Sequence, residues 1–155
     1  MQSLEANGIV TAYEKTGRGE PIVLLHGGEA DHSMFDGLAP VLATRFTVIA
    51  YDQRDSGATR NPPSSYSLAD LADDAAALIR GLGYDRAHVF GTSLGGQIAQ
   101  VLAARHPGSI DRLVLSSTWK VNKSPLDVNA DAFRALASYR SDTAGNAPKI
   151  AEFFF

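Results

Sequence analysis

Short, largely apolar runs recur along the chain at residues 22–25, 46–51, 87–90 and 113–115, and they most constrain its fold. Each run is only a few residues long, which is the length of a β-strand. A strand that is apolar on both faces is typical of a sheet buried between two layers of helices. A further strand with alternating residues is predicted at 9–15, bounded by glycines.

Two helical patterns lie between these runs. In the first, Ser67 is placed to cap the helix, Asp70 adds a negative charge to its first turn, and the apolar residues share one face. Those apolar residues are Leu68, Leu71, Ala72, Ala75, Leu78, Ile79 and Leu82. The second helix carries Leu94, Ile98, Val101 and Leu102, and ends before Pro107. This alternation predicts an α/β fold with a mostly parallel sheet and helices on both faces.

Composition and charge exclude several classes of protein. The chain has 155 residues, of which 45% are hydrophobic, enough for one packed domain. Its 14 basic and 17 acidic residues argue against a nucleic-acid binder, and the lack of cysteine excludes disulfides, thiolate catalysis and cysteine-bound zinc. No signal-peptide pattern and no apolar run of about 20 residues occur, so we expect a cytoplasmic protein without a membrane partner.

The strongest chemical signal is the segment Gly91-Thr92-Ser93-Leu94-Gly95, which lies between a predicted buried strand and a helix. A sharp strand-to-helix turn leaves no room for side chains beside its central residue, and the two outer glycines remove that clash. The turn predicts Ser93 as a catalytic nucleophile, exposed at the carboxyl edge of the sheet. The alternative is a small serine in a turn that only packs the helix on the sheet.

A nucleophile of this kind needs two N–H donors for the oxyanion that forms on its substrate. The residue after the nucleophile, Leu94, supplies one N–H group. Gly28 is placed to supply the other, because His26-Gly27-Gly28 follows the first buried strand. The alternative for this loop is a plain turn.

These motifs together resemble those of the α/β-hydrolase superfamily, in particular its lid-bearing branch of serine esterases, lactonases and peroxidase-like enzymes. The motifs that carry the resemblance are His26-Gly27-Gly28, the turn Asp52-Gln53-Arg54, the sequence GTSLGG at 91–96 and Arg105-His106-Pro107. The resemblance covers residues 8–119. It implies an N-terminal portion of the hydrolase core at 1–120, the beginning of a helical lid at 121–155, and no cofactor.

The family's catalytic triad runs in the order serine, acid, histidine. His106 is the single histidine after Ser93, and a helix of about 12 residues carries it roughly 18 Å away. His32 is weighed as a base, whereas Asp111 and Asp127 do not lie where the family keeps its acid. The resemblance therefore implies that the last core strands, the acid and the base are absent.

The missing strands would leave the strand at 110–116 as an open edge, and Phe153, Phe154 and Phe155 would add apolar surface. We expect a complementing C-terminal fragment or a homo-oligomer. The resulting hypothesis is a truncated or split serine hydrolase that acts on an ester-like carbonyl of a small molecule through an acyl-enzyme. The alternative is a non-catalytic binding or assembly protein with the same fold.

Two other kinds of site are disfavoured. A metal site built from His26, Glu29, Asp31 and His32 lacks a helical i, i+4 pair or a second cluster, so no metal is predicted. A dinucleotide site needs G-x-G-x-x-G, and residues 91–96 fail that pattern at the second glycine.

Overall fold

The computed structural model describes residues 1–123, 125–139 and 145. The chain divides into two compact units, Met1–Thr118 and Trp119–Phe155. The strands of the first unit are β1 (Gln2–Ala6), β2 (Ile9–Gly17), β3 (Glu20–Leu25), β4 (Phe46–Tyr51), β5 (Ala87–Thr92) and β6 (Ile110–Ser116). Its helices are α1 (Ala39–Leu42), α2 (Leu68–Gly81) and α3 (Leu94–Arg105), with short 3₁₀ turns at His32–Phe35 and Pro107–Ser109.

The six strands form one sheet in the order β1-β2-β4-β3-β5-β6. The pairs β3–β4, β3–β5 and β5–β6 are parallel, whereas β1–β2 and β2–β4 are antiparallel. The predicted α/β fold with a mostly parallel sheet is confirmed, and the antiparallel strands all lie toward one end of it. Among the described residues, β6 is the edge strand at the other end.

The two faces of the sheet carry different helices. Val23, Ile49 and Val89 face α2 and α3 and are completely buried. Leu24 and Val48 point the other way and pack with Phe35 and with α1. Strand residues are therefore buried on both faces, which explains the continuous apolar runs in the sequence.

The first hairpin is not predicted by the hydrophobic periodicity, which indicates a strand only from Ile9 onward. Asn7 and Gly8 both have positive φ, 52° and 75°, and they join β1 to β2 in a two-residue turn. Asn-Gly is the preferred sequence for such a turn because both residues tolerate the left-handed region. The Asn7-Gly8 dipeptide is the sequence feature from which a strand before Ile9 could have been predicted.

Both predicted long helices are present. Ser67 caps α2, and its side chain and that of Asp70 form a reciprocal capping box. Helix α3 starts directly after Ser93 and ends at Arg105, before Pro107. The N-terminal cap of α2 and the end of α3 were thus correctly read from the sequence.

In the second unit, α4 (Pro125–Tyr139) contains a non-helical residue, Asn129, at φ −156° and ψ 87°. The boundary predicted between a core at 1–120 and a lid at 121–155 stays a prediction. The terminal aromatic residues 153–155 lie outside the described residues. Within the described part of the chain, none of the helices has the length and apolar character needed to span a membrane.

Helices α2 and α3 are joined by a charged cluster at Asp73. Its carboxylate accepts hydrogen bonds from Arg105 Nη2 at 2.7 Å and Nε at 3.0 Å, and lies 2.6 Å from His106 Nε2. The bonds from Arg105 and then His106 lower the pKa of Asp73 to about 2. Because this pKa is depressed by folding, the stabilisation is present above the ordinary carboxyl pKa and is lost as pH falls toward 2.

We predict that Asp73→Asn lowers the free energy of unfolding at pH 7 by about 1 kcal/mol, since the cluster is partly exposed. Urea denaturation at pH 7 and near pH 2 measures this. The two proteins should converge at the lower pH, and Glu5→Gln on the exposed face of β1 is the control. An equal loss at both pH values would contradict the assignment.

Candidate active site

Three loops meet at one edge of the sheet, because β3, β4 and β5 run parallel and their carboxyl ends lie together. They follow β3 at residue 26, β4 at residue 52 and β5 at residue 93. An open cavity of about 730 Å³ lies among them. It is lined by residues 26–31, 33, 34, 53–57, 66 and 94.

Ser93 occupies the turn between β5 and α3 in an unusual backbone conformation, φ 52° and ψ −118°. Such a conformation costs about 1–3 kcal/mol and persists only where the surroundings fix it. Here Ser93 N–H donates to Ser116 O at 3.1 Å, and Ser93 O accepts from Thr118 Oγ1 at 2.7 Å. The half-buried side chain makes no capping hydrogen bond to α3.

Close backbone packing makes glycine necessary on both sides of this turn. A Cβ at Gly95 would lie 2.6 Å from His26 O and nearer still to Leu25 O. A Cβ at Gly91 would lie 2.7 Å from the carbonyl carbon of Gly95. The glycines therefore allow α3 to approach both β3 and β5, with Ser93 at the crossing point.

The loop after β3 packs directly on this turn. A Cβ built on Gly27 would lie 3.4 Å from Ser93 Cβ and 3.9 Å from its Oγ. One built on Gly28 would lie 3.9 Å from Leu94 Cδ2. The fold thus brings the predicted nucleophile and the residues of the predicted oxyanion hole, Gly28 and Leu94, into one place, and their roles stay predictions.

The polar frame of the site centres on Asp52, whose side chain is fully buried at the end of β4. Its carboxylate accepts from the N–H of His32 at 2.9 Å and of Ala58 at 2.7 Å, and lies 2.7 Å from His32 Nδ1. Burial opposes the charge of His32, but the hydrogen bond and attraction of Asp52 outweigh it and raise the pKa of His32. This pair connects the loop after β3 to the turn after β4.

Three possible metal ligands, Asp31, His32 and Asp52, have ligand atoms within 4.8 Å of one another. Each already takes part in hydrogen bonds, and Asp31 Oδ1 accepts from both Ser33 N–H and Ser33 Oγ. His26, which the sequence argument grouped with them, instead contacts Gln53 and Gly27.

The turn after β4 is joined to α2 by a buried ion pair that the sequence argument did not identify. Arg54 binds Asp74 through Nε at 2.6 Å and Nη2 at 2.9 Å, and Asn7 Nδ2 donates to the same carboxylate at 2.6 Å. The Tyr66 ring covers Arg54 at 5.8 Å. Asp74 lies on the core-facing side of an amphipathic helix, where a carboxylate is rarely buried unless it is paired. Its position in the sequence could therefore have indicated an ion pair.

The remaining histidines lie in structural pairs. His88 is buried, and its ring lies 3.2 Å from Glu20 Oε2 and 3.1 Å from Asp111 Oδ2. It thereby bridges three adjacent strands near their amino ends, the edge opposite Ser93. His106 pairs with Asp73 at the far end of α3.

We predict that Gly95→Ala lowers the free energy of unfolding by about 3 kcal/mol, because the new methyl group meets backbone atoms that cannot move aside. Gly108→Ala is the matched control, since nothing lies within 4 Å of a Cβ there. Urea denaturation compares the two variants with the parent chain. Equal stability of the two variants would show that the turn tolerates a side chain.

Known proteins resemble the chain in sequence and structure. The family model for the alpha/beta hydrolase fold matches residues 20–153. A 2-(acetamidomethylene)succinate hydrolase of Mesorhizobium japonicum is 33% identical over 150 residues, which are 92% of this chain and 54% of that protein. A soluble epoxide hydrolase of Corynebacterium sp. (strain C12) is 35% identical over 109 residues, 70% of this chain and 38% of that protein.

Among solved structures, a thermophilic esterase from Thermogutta terrifontis superposes with a TM-score of 0.77 at 27% identity, over 96% of this chain and 57% of the esterase. The match thus spans between 38% and 57% of the length of these relatives. Because the family model covers most of the sequence and the folds agree, the chain belongs to the alpha/beta hydrolase fold family.

Proposed function

We propose that this chain carries the nucleophile of a serine hydrolase that cleaves an ester-like carbonyl of a small molecule. The supporting observation is the strained backbone of Ser93, φ 52°, with Gly27 packed against its side chain. A serine held in this way, at the carboxyl edge of the sheet and beside an open cavity, is suited to attack a bound carbonyl.

In the proposed reaction, Ser93 Oγ attacks the carbonyl carbon and a base takes the hydroxyl proton. The negative charge moves to the carbonyl oxygen, where the N–H groups of Gly28 and Leu94 and the amino end of α3 stabilise it. Collapse of this intermediate expels the alcohol, which takes up the proton and leaves an acyl group on Ser93. Water then attacks the acyl-enzyme, releasing the carboxylic acid and restoring the serine.

An ester-like substrate is favoured over an epoxide, although one relative is named as an epoxide hydrolase. Opening an epoxide with a serine hydroxyl would join the two through an ether, which water does not readily cleave. Attack on a carbonyl instead gives an acyl-serine that water hydrolyses. A serine at position 93 therefore favours acyl transfer over the opening of an epoxide.

We further propose that the acid and base come from a C-terminal segment of polypeptide that pairs with β6. His88 and His106 are held in structural pairs away from Ser93. Val114 and Leu115 on the edge strand remain 51% and 43% exposed, an unusual state for two adjacent apolar residues on a strand edge. A segment of the kind that makes up the other half of the relatives' length would cover them.

We predict that the chain alone hydrolyses nitrophenyl acetate slowly, at most about 10³–10⁴ over the uncatalysed rate, because an oxyanion hole without a base retains only that much. Addition of the C-terminal segment should raise turnover and permit labelling by a fluorophosphonate. Ser93→Ala should abolish the labelling and the gain in turnover, while Ser64→Ala on an exposed loop should not. A completed protein that takes no label would favour the non-catalytic binding module.

For the edge strand, we predict that Val114→Lys weakens association with this segment by at least tenfold, because a charge would be buried against the added strand. Light scattering after gel filtration measures the complex, and Val41→Lys, at an exposed residue of α1, is the control. A monodisperse 16.5 kDa species that binds no segment would contradict the proposal. A particle of twice that mass would indicate a second copy instead.

A further inference from the structure

His26, the first residue after β3, is 2% exposed and has polar contacts at both ring nitrogens. Nδ1 lies 2.7 Å from Gly27 O, and Nε2 lies 3.2 Å from the backbone N of Gln53. Ser56 Oγ is also 3.2 Å from Nε2, but it donates to Gln53 O at 2.8 Å. The side-chain amide of Gln53 returns a bond to His26 O at 2.9 Å.

These contacts determine where the imidazole proton lies. The backbone N–H of Gln53 is a fixed donor, so Nε2 must offer its lone pair to accept it. Nδ1 then carries the hydrogen and donates it to Gly27 O, which can only accept. The ring is therefore neutral, with its proton on Nδ1.

The bond to Gly27 O also sets the direction of the next N–H group. In a trans peptide the C=O of one residue and the N–H of the next point to opposite sides of the same plane. Because the carbonyl of Gly27 is held in one direction, the N–H group of Gly28 is held in the opposite direction. Without that bond, the glycine pair has the conformational freedom to let this plane rotate.

We propose that His26, as its Nδ1–H tautomer, is a positioning residue that aims the Gly28 N–H group at the oxyanion formed at Ser93. The proposal rests on the proposed function, since the aimed amide matters to catalysis only if an oxyanion forms there. His26 itself touches no reacting atom and acts through the Gly27–Gly28 peptide.

The arrangement has a consequence for pH. Burial lowers the pKa of His26, although the bond to Gly27 and the charges of Asp52 and Asp31 oppose this, and His32 adds to the lowering. The positive charge of Arg54, in the turn after β4, forms an ion pair with the carboxylate of Asp74. A proton added to Nε2 would face the Gln53 N–H, donor against donor, and would disrupt the contact that orients the ring.

NMR of the ¹⁵N-labelled chain tests the proposal without any need for activity. Nδ1 should carry the proton and Nε2 should be unprotonated at pH 7.5. The Gly28 amide resonance should shift as His26 titrates at acid pH, and should lose that shift in His26→Asn, which keeps a donor at the same position but cannot titrate. An Nε2–H tautomer, or a Gly28 amide indifferent to His26, would overturn the proposal.

Kinetics of the completed enzyme give the second measurement. His26→Leu should lower kcat about 10²-fold with KM nearly unchanged, since one oxyanion donor is misdirected. His26→Asn should recover most of that loss, and His106→Asn should match the parent enzyme. Equal loss in the Asn and Leu variants of His26 would contradict the inference, whereas an inactive parent enzyme would contradict only the proposed function.

Discussion

The backbone conformation of Ser93 is the constraint on which the arrangement of the first unit depends. A residue with φ 52° at the start of a helix is strained by about 1–3 kcal/mol, and the surrounding contacts must hold it. Those contacts come from three directions: the end of β6 through Ser116 and Thr118, the loop after β3 through Gly27, and α3 through Gly95. The strain is sustainable because the sheet and α3 are packed into one buried core.

A set of buried polar contacts extends this order to the loops around the serine. His32–Asp52 and His26–Gln53 tie the loop after β3 to the turn after β4, and Arg54–Asp74 ties that turn to α2. The buried side chains in these three pairs each have a polar partner, as buried polar groups require. The loops that line the cavity are therefore positioned before any substrate binds, which is the condition for stabilising charge in a transition state.

The features that could be read from the sequence are those with a local signal. The apolar runs of β3 to β6, the Ser67 cap and the glycines around Ser93 each determine the structure of residues only a few positions away. The contacts that support the site join residues that are distant in the sequence. His26 contacts Gln53, 27 positions away, and Arg54 binds Asp74, 20 positions away. The contact between His88 and Glu20 has no local signal for the same reason, since the two residues lie 68 positions apart. Strand β1 was missed because Gln2–Ala6 is largely exposed and lacks an apolar run.

The most direct test of this account is a crystal structure of the chain completed by its C-terminal segment, after reaction with a phosphonate ester that mimics the tetrahedral intermediate. We expect phosphorus bonded to Ser93 Oγ, with one phosphoryl oxygen about 2.7–3.1 Å from the backbone nitrogens of both Gly28 and Leu94. An adduct on another residue, or a phosphoryl oxygen directed to solvent away from these two amides, would contradict the assignment of Ser93 as the nucleophile of a preformed oxyanion site.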